Sequence, residues 1–149
     1  MSEMLYQDKV AWLWRYRDAL NKETILQQHI AELRSIAERI TPNISPTPGG
    51  AGDGQAIARA VEALISTEQQ LAEQSTQCSR ICAEVVNAID TVCNARDRQI
   101  LYRRYILGEK FEQIACRMLL DYRWVRRCHN RAVRNLKIDP LKPHSSMVN

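Results

Sequence analysis

The sequence lacks the patterns that define several common classes of protein. It has no GxxxxGK[ST] or HExxH motif and no plausible grouping of nucleophile, base and orienting side chain, so we expect no enzyme. It also lacks an uninterrupted apolar run of about 18 residues, and its first residues show no apolar core followed by a small-residue cleavage site. These absences predict a chain without a membrane span or a signal peptide.

The five cysteines are odd in number and include no CxxC pair, which favours a reducing cytoplasm over a disulfide framework. Cys78 and Cys82 have a spacing that could hold a metal, but both fall on an apolar stripe where free cysteine behaves as a small hydrophobe. Cys116, Cys128 and His129 come with no fourth ligand at zinc-site spacing. We therefore expect no metal and no cofactor, and we expect His129 to pack against the preceding helix.

Glycine and proline are scarce and mostly confined to one segment. Residues 41–54, TPNISPTPGGAGDG, hold three of the five prolines and four of the five glycines. Between Glu3 and Ile40 there is neither, which predicts one long helix over about 3–40 with Asn21 as the one candidate break. The segment 41–54 then reads as a loop before a second long helix over about 55–92.

Apolar residues in both predicted helices recur in steps of four and three, which is typical of a coiled coil. In the first helix they are Leu26, Ile30, Leu33, Ala37 and Ile40. In the second they are Ile57, Val61, Leu64, Glu68, Leu71, Ser75, Cys78, Cys82, Val85, Ile89 and Val92, with Glu68 and Ser75 interpreted as polar register positions inside the seam. The arms could form an antiparallel hairpin within one chain or pair between chains. Since a single hairpin has little core, we favour a homodimer or higher homo-oligomer.

The segment WLWRYR near the amino terminus interleaves aromatic and basic residues. Such a pattern could stack on unpaired bases, but packing at the start of a helix is the better interpretation. Trp12 and Trp14 lie two residues apart and cannot both face one partner. One of them is therefore expected to meet a second chain or another module.

The net charge of +4 conceals a strong asymmetry along the chain. Residues 95–149 carry 13 Lys and Arg against 5 Asp and Glu, whereas residues 1–94 carry 8 against 12. A basic module joined to an acidic one predicts a polyanionic partner at one end only.

Within the basic half, 111–118 and 122–136 each have helical apolar spacing and are separated only by 119–121, which is the length of a helix-turn-helix. Asp121 is a good N-cap for the second helix. The crossing of the two helices needs a small residue and apolar neighbours, and Ile114, Ala115, Met118, Leu120 and Val125 take these positions, with Cys128 extending the inner face. The inner stripe of the second helix is Val125, Cys128, Ala132 and Leu136, so its arginines and Asn130 fall largely on the outer face.

These residues also resemble a known family. RDRQIL at 96–101, Arg104 with Tyr105, Gly108, EQIA at 112–115, Val125 and the closing NRAV with Leu136 are similar to region four of bacterial sigma factors, without a gap. With its helical front part, its Pro/Gly linker and this ending, the whole chain resembles the phage-encoded late transcriptional regulators of the RinA and ArpU type. The expected fold is all-α: a long helical hairpin or coiled coil for oligomerisation over 1–93, a small region-four-like helix-turn-helix over 94–138, and a flexible tail over 139–149.

Two residues depart from the region-four pattern. Leu119 stands where the family usually has glycine at a positive φ, which should cost about 1 kcal/mol or force a different turn. Asp121 replaces the usual serine at the start of the recognition helix. The serine hydroxyl that would contact a phosphate is therefore missing, and the Asp121 carboxylate could instead accept a hydrogen bond from a cytosine amino group.

The resemblance implies sequence-specific binding of double-stranded DNA and regulation of phage or prophage transcription, with RNA polymerase as a further partner. Nothing in the chain resembles the sigma region that melts the −10 element, so we expect no unaided promoter opening. We expect Arg123, Arg126 and Arg127 to contact bases, and Lys110, Arg117, Arg131 and Arg134 to contact phosphates. The remaining candidate DNA contacts are Asp121, Tyr122, Trp124 and Asn130. The alternative is the DNA-recognition subunit of a viral packaging machine, similar to a small terminase, which a large ring in solution would favour over a dimer.

Overall fold

The computed structural model describes residues 4–40 and 51–138, with side chains except at 40 and 51–53. These residues form five α-helices and no strand: α1 Tyr6–Ile40, α2 Ala51–Asp90, α3 Ala95–Tyr105, α4 Phe111–Met118 and α5 Tyr122–Asn135. The all-α class is therefore confirmed. Residues 41–50 of the predicted loop 41–54 lie outside the described residues. The last four residues of that predicted loop are helical instead, since α2 begins at Ala51. The predicted flexible tail, 139–149, also lies outside the described residues.

The chain divides into two compact units. We call residues 19–78 the arm unit, and residues 1–18 with 79–149 the basic unit. Both α1 and α2 contribute to each unit, and α1 continues without a break through Asn21. The unit that holds the helix-turn-helix therefore also includes the beginning of α1 and the end of α2. Among the described residues, none of the helices has an apolar stretch long enough to cross a membrane.

In the arm unit, α1 and α2 run antiparallel within one chain. The Gln74 side-chain amide donates to the Ala19 carbonyl at 2.9 Å, and towards the other end Arg34 pairs with Glu68 at 3.1 Å. Ile30 is buried, and Leu26, Leu33 and Ala37 are half-buried, as the predicted stripe of α1 requires. The intrachain hairpin is thus the arrangement that the structure has, while oligomerisation stays a prediction.

Between Ile57 and Cys78 the seam of α2 differs from the predicted one at every second position, whereas the later predicted positions, from Cys82 to Val92, are buried or half-buried as predicted. Glu68 and Ser75 are exposed, and they bond to Arg34 and Glu23 at the edge of the hairpin. Thr67 and Gln74 face inward instead. The buried and half-buried positions that result are Ile57, Ala60, Ala63, Leu64, Thr67, Leu71, Gln74 and Cys78. The prediction that Glu68 and Ser75 lie inside the seam was wrong.

Internal hydrogen bonds explain how the seam can include polar residues. The Thr67 hydroxyl donates to the Ala63 carbonyl one turn earlier at 2.7 Å, and the Gln74 amide reaches the backbone of Ala19. A buried polar group that keeps its hydrogen bonds carries little penalty. Apolar periodicity alone does not indicate Thr67 and Gln74. It indicated the neighbouring positions Val61, Glu68 and Ser75 instead, and Val61 is 43% exposed.

In the basic unit, α3, α4 and α5 share a core made of Ile100, Ile114, Ala115, Val125 and Cys128, with Phe111, Met118 and Leu120 packed at its margin. Ile114, Ala115, Met118, Leu120 and Val125 therefore occupy the places that the sequence predicted for them. The Asn94 side chain begins α3 by accepting from the backbone N–H groups of Arg96 and Asp97. The bounds of α3 were not predicted from the sequence. This core fixes α5 against its neighbours and leaves the opposite face of α5 outward.

Candidate nucleic-acid interface

The turn between α4 and α5 is set by the backbone of Leu119, which has φ 56° and ψ 44° in the left-handed region. The Leu119 and Leu120 N–H groups donate back to the carbonyls of Cys116 and Ala115, at 3.3 and 2.9 Å. This is the hydrogen-bonding pattern of a Schellman ending, which usually has glycine at the left-handed position. The turn therefore keeps the geometry expected of glycine while carrying a leucine.

Asp121 begins α5 as its N-cap, as predicted. Its Oδ1 accepts from the Arg123 N–H at 2.8 Å, which satisfies one of the free donors of the first turn. The carboxylate is exposed but is already engaged by the backbone. Its first role is therefore to orient the start of α5.

The faces of α5 separate apolar and cationic residues. Val125, Cys128, Ala132 and, just past the helix, Leu136 are 2% exposed or less, as the predicted inner stripe requires. The same face also buries His129 and Val133. The exposed residues are Tyr122, Arg123, Trp124, Arg126, Arg127, Arg131, Arg134 and Asn135. Five of the predicted site's eleven residues are thus exposed cations without an acidic partner on the surface of one domain, together with the exposed Asp121, Tyr122 and Trp124.

Arg117 and Arg131 are not among these five cations because both form ion pairs. The five are Lys110, Arg123, Arg126, Arg127 and Arg134.

Arg123 and Arg127 lie on the exposed face of α5, and their guanidinium groups have no hydrogen bond or ion pair within the described part of the chain. Arg126 has partners within the domain: its guanidinium donates to the Tyr122 hydroxyl at 3.1 Å and lies 5.4 Å from the centre of the Phe111 ring. A free guanidinium can donate two parallel hydrogen bonds to a guanine or a phosphate. These three residues are the sequence-predicted base contacts.

Two of the predicted phosphate contacts are held in ion pairs. Arg117 pairs with Glu109 at 3.2 Å, and Arg103 shares the same carboxylate. Arg131 pairs with Asp97 at 3.1 Å, and that carboxylate is only 5% exposed. The hydrogen bonds and negative charge of Asp97 raise the pKa of Arg131 above its ordinary value. Both arginines therefore already bind a carboxylate of the same chain, which competes with a phosphate for them.

The other two predicted phosphate contacts are unpaired. Lys110 is exposed just before α4, and its backbone N–H donates to the Gln113 side chain at 2.9 Å. The Arg134 guanidinium lies 5.9 Å from the centre of the Tyr6 ring. Neither cation has an acidic partner within the described residues, so both remain available to an anion.

The exposed aromatic residues of α5 are at its first turn. Trp124 is 37% exposed, and the Arg96 guanidinium of α3 lies 5.1 Å from its ring centre. Tyr122 is 38% exposed and holds Arg126. The start of α5 thus presents flat rings beside the unpaired arginines.

Asn130 differs from the other predicted site residues because it faces inward. It is half-buried, and its Oδ1 accepts from the Tyr6 hydroxyl at 2.8 Å and lies 3.0 Å from His129 Nδ1. The Tyr105 hydroxyl lies 2.7 Å from His129 Nε2. A neutral His129 that donates from Nδ1 and accepts at Nε2 satisfies every bond in this chain. We therefore leave Asn130 out of the proposed DNA-contacting set.

His129 packs edge-on against Phe111 of α4, with ring centroids 4.9 Å apart, as predicted. Burial lowers the pKa of His129 below its ordinary value, and the nearby Arg104 and Arg126 charges act in the same direction against the hydrogen bond with Asn130. Burial also raises the pKa of Tyr105. The sequence offered one signal for this cluster, since His129 falls beside the apolar stripe of α5.

The described residues contain no group of three His, Cys, Asp or Glu side chains placed to hold a metal ion. Cys78 and Cys128 are buried, Cys82 is half-buried, and Cys93 and Cys116 are exposed. What the surface of α5 offers chemically is a set of unpaired cations and aromatic rings. Comparison with known proteins gives no match to a family model, a curated protein or a solved structure.

Proposed function

We propose that this chain binds double-stranded DNA sequence-specifically through α5 and regulates transcription of phage or prophage genes at a promoter, together with RNA polymerase. The observation that carries the proposal is the pair of unpaired, exposed arginines, Arg123 and Arg127, on a helix whose other face is packed against α3 and α4. A helix presented in this way fits the width of the major groove. The role in transcription and the polymerase contact rest on the resemblance to sigma region four.

In this proposal the five unpaired cations have two different roles, which depend on their positions. Arg123, Arg126 and Arg127 would contact base edges, while Lys110 and Arg134 would contact phosphates and fix the register of the helix. Tyr122 and Trp124 would border the same groove. Arg117 and Arg131 would reach a phosphate only by sharing or leaving their carboxylate partners.

Arg127→Ala tests the proposal at one residue. We first select a preferred duplex from a randomised pool with the wild-type protein, and then titrate that duplex and a scrambled duplex of the same composition. Loss of a base contact should weaken binding to the selected duplex by about 1–3 kcal/mol more than binding to the scrambled one.

The matched control is Arg59→Ala, which removes one exposed arginine from α2 in the arm unit. It changes the net charge equally and should leave the preference unchanged. Equal weakening on both duplexes by Arg127→Ala would make Arg127 a phosphate contact only. A wild-type protein that binds neither duplex would overturn the proposed function.

We also propose that the protein acts as a homodimer. Several large apolar side chains of the arm unit remain exposed in the single chain: Ile25, Ile36, Val61 and Ile65. A mass measurement in solution tests this proposal. A large ring in place of a dimer would contradict the regulatory role and favour DNA packaging.

A further inference from the structure

One face of the first turns of α1 packs against two other helices of the basic unit, α3 and α5. Tyr6, Lys9, Trp14 and Arg17 all contact α3, α5 or the residues that follow α3, and all of them belong to the basic unit. The sequence placed this segment among the arms, more than 100 residues before α5. The contacts make it a part of the unit that carries the proposed DNA contacts.

Lys9 holds the carboxyl end of α5. Its ammonium group donates to the Arg134 carbonyl at 2.8 Å, and the side chain is only 9% exposed. The last carbonyls of a helix have no partner within the helix, and a cation at that end also interacts favourably with the helix dipole. Lys9 thus supplies both a hydrogen bond and a charge at the end of α5.

Tyr6 holds the middle of the same helix. Its hydroxyl donates to Asn130 Oδ1, and Asn130 in turn contacts His129, which bonds to Tyr105 of α3. This chain of bonds joins α1, α5 and α3 through partly buried side chains. The Tyr6 ring also lies beneath the Arg134 guanidinium.

The same face of α1 is anchored on α3. The Trp14 ring meets the Tyr105 ring edge-on, with centroids 5.4 Å apart. Arg17 donates to the Ile106 carbonyl at 3.1 Å and lies against Gly108, where an added Cβ would come within 2.6 Å of its guanidinium. Gly108 has φ 73°, so both its backbone and this contact favour glycine. α1 therefore contacts α5 from a fixed position on α3.

We propose that Tyr6 and Lys9 are positioning residues for DNA recognition, which hold α5 at the angle that its outer arginines need, so that residues 94–138 alone are an incomplete DNA-binding unit. This inference rests on the proposed function for its DNA part. Its structural part, that α1 restrains α5, can be measured without DNA.

The test compares Tyr6→Phe and Lys9→Met in the full chain with two matched controls. Tyr102→Phe removes a hydroxyl from an exposed tyrosine of α3, and Lys22→Met removes an exposed lysine charge from α1. Hydrogen exchange of the amides in the last two turns of α5 should become about 2- to 10-fold faster in Tyr6→Phe and about 10-fold or more faster in Lys9→Met. The controls should match the wild type, and Lys9→Arg should restore most of the protection.

Binding to the selected and the scrambled duplex gives a second readout. Both positioning variants should lose affinity for the selected duplex, about 3- to 10-fold relative to the scrambled one, whereas Lys22→Met should weaken both equally. Exchange at the wild-type rate in both variants would overturn the inference. Faster exchange with an unchanged preference would also overturn it, because α1 would then be only structural support. If the wild type bound neither duplex, the proposed function would fail, and exchange alone would still decide whether α1 restrains α5.

Discussion

At the scale of single residues, the backbone of Leu119 carries strain that its side chain does not offset. It is the one described residue other than glycine with a positive φ, and its side chain is 91% exposed. A left-handed conformation costs a residue with a Cβ about 1 kcal/mol or more, whereas glycine adopts it freely. Because the leucine buries almost nothing, a substitution there loses little packing.

Leu119→Gly should therefore raise the free energy of unfolding by about 1 kcal/mol. Denaturant titration followed by helical circular dichroism measures the change. Leu119→Ala keeps the Cβ and removes most of the exposed side chain, so it should give no comparable gain. If alanine stabilised the protein as much as glycine, the strain would not come from the positive φ.

His129 gives the basic unit a dependence on pH. Its pKa lies below the ordinary 6.5 because burial disfavours the charged form. The unfolded chain therefore takes up this proton at a higher pH than the folded chain does. The contribution of neutral His129 is fully present above about pH 6.5 and decreases as the pH falls towards the folded pKa, by up to about 1.4 kcal/mol per pH unit.

Unfolding measured at about pH 7 and about pH 5.5 should show this loss in the wild type. His129→Gln should reduce the difference between the two conditions, even though it weakens packing in both. His29→Gln, at an exposed position of α1, should retain the full difference. A pH dependence that survived His129→Gln unchanged would assign it to other groups.

At the scale of helices, the ion pair of Arg131 with Asp97 joins α5 to α3. The Asp97 carboxylate is 5% exposed, and both of its oxygens accept from Arg131, at 3.2 and 3.1 Å. Removing the arginine leaves a nearly buried carboxylate without its charge partner, which is the costly way to break such a pair. Arg127, about one turn earlier, has no such partner.

Arg131→Gln should therefore lower the free energy of unfolding clearly more than Arg127→Gln, which should stay within about 0.5 kcal/mol of the wild type. The two variants change the same charge on the same helix, so thermal or denaturant unfolding compares them directly. Equal stability of the two would mean that the ion pair does not hold α3 and α5 together.

Local signals along the chain predicted much of this architecture. The tight spacing between α4 and α5, the cap at Asp121 and the inner stripe of α5 were all visible in the sequence, because they depend on neighbours within a few turns. The seam of α2 was predicted only in part, since Thr67 is buried and Gln74 half-buried with hydrogen bonds that apolar periodicity does not reveal.

Contacts between distant residues could not be predicted in the same way. The bonds from Tyr6 to Asn130 and from Lys9 to the Arg134 carbonyl join residues more than 120 positions apart. A tyrosine and a lysine at the start of an amphipathic helix carry no local sign of such partners. Asn130 was therefore assigned to the outer face, although its side chain is held from the inner side.

At the scale of the whole molecule, the charge asymmetry of the chain carries the functional argument. The basic half carries the five unpaired cations on or beside the helix-turn-helix, and the acidic half contains both long helices. Each of the five cations brings one positive charge against the duplex and displaces about one counterion per bound chain, so binding to DNA should weaken steeply with salt. A basic surface without base contacts would show a similar salt dependence but would not distinguish the selected duplex from the scrambled one.

The salt dependence of wild-type binding to the selected duplex tests this account most directly. We predict that the logarithm of the association constant falls linearly with the logarithm of the salt concentration, with a slope of about −4 to −5. We also predict that the selected duplex stays preferred over the scrambled one at each salt concentration. Absence of binding even in dilute buffer would contradict the account.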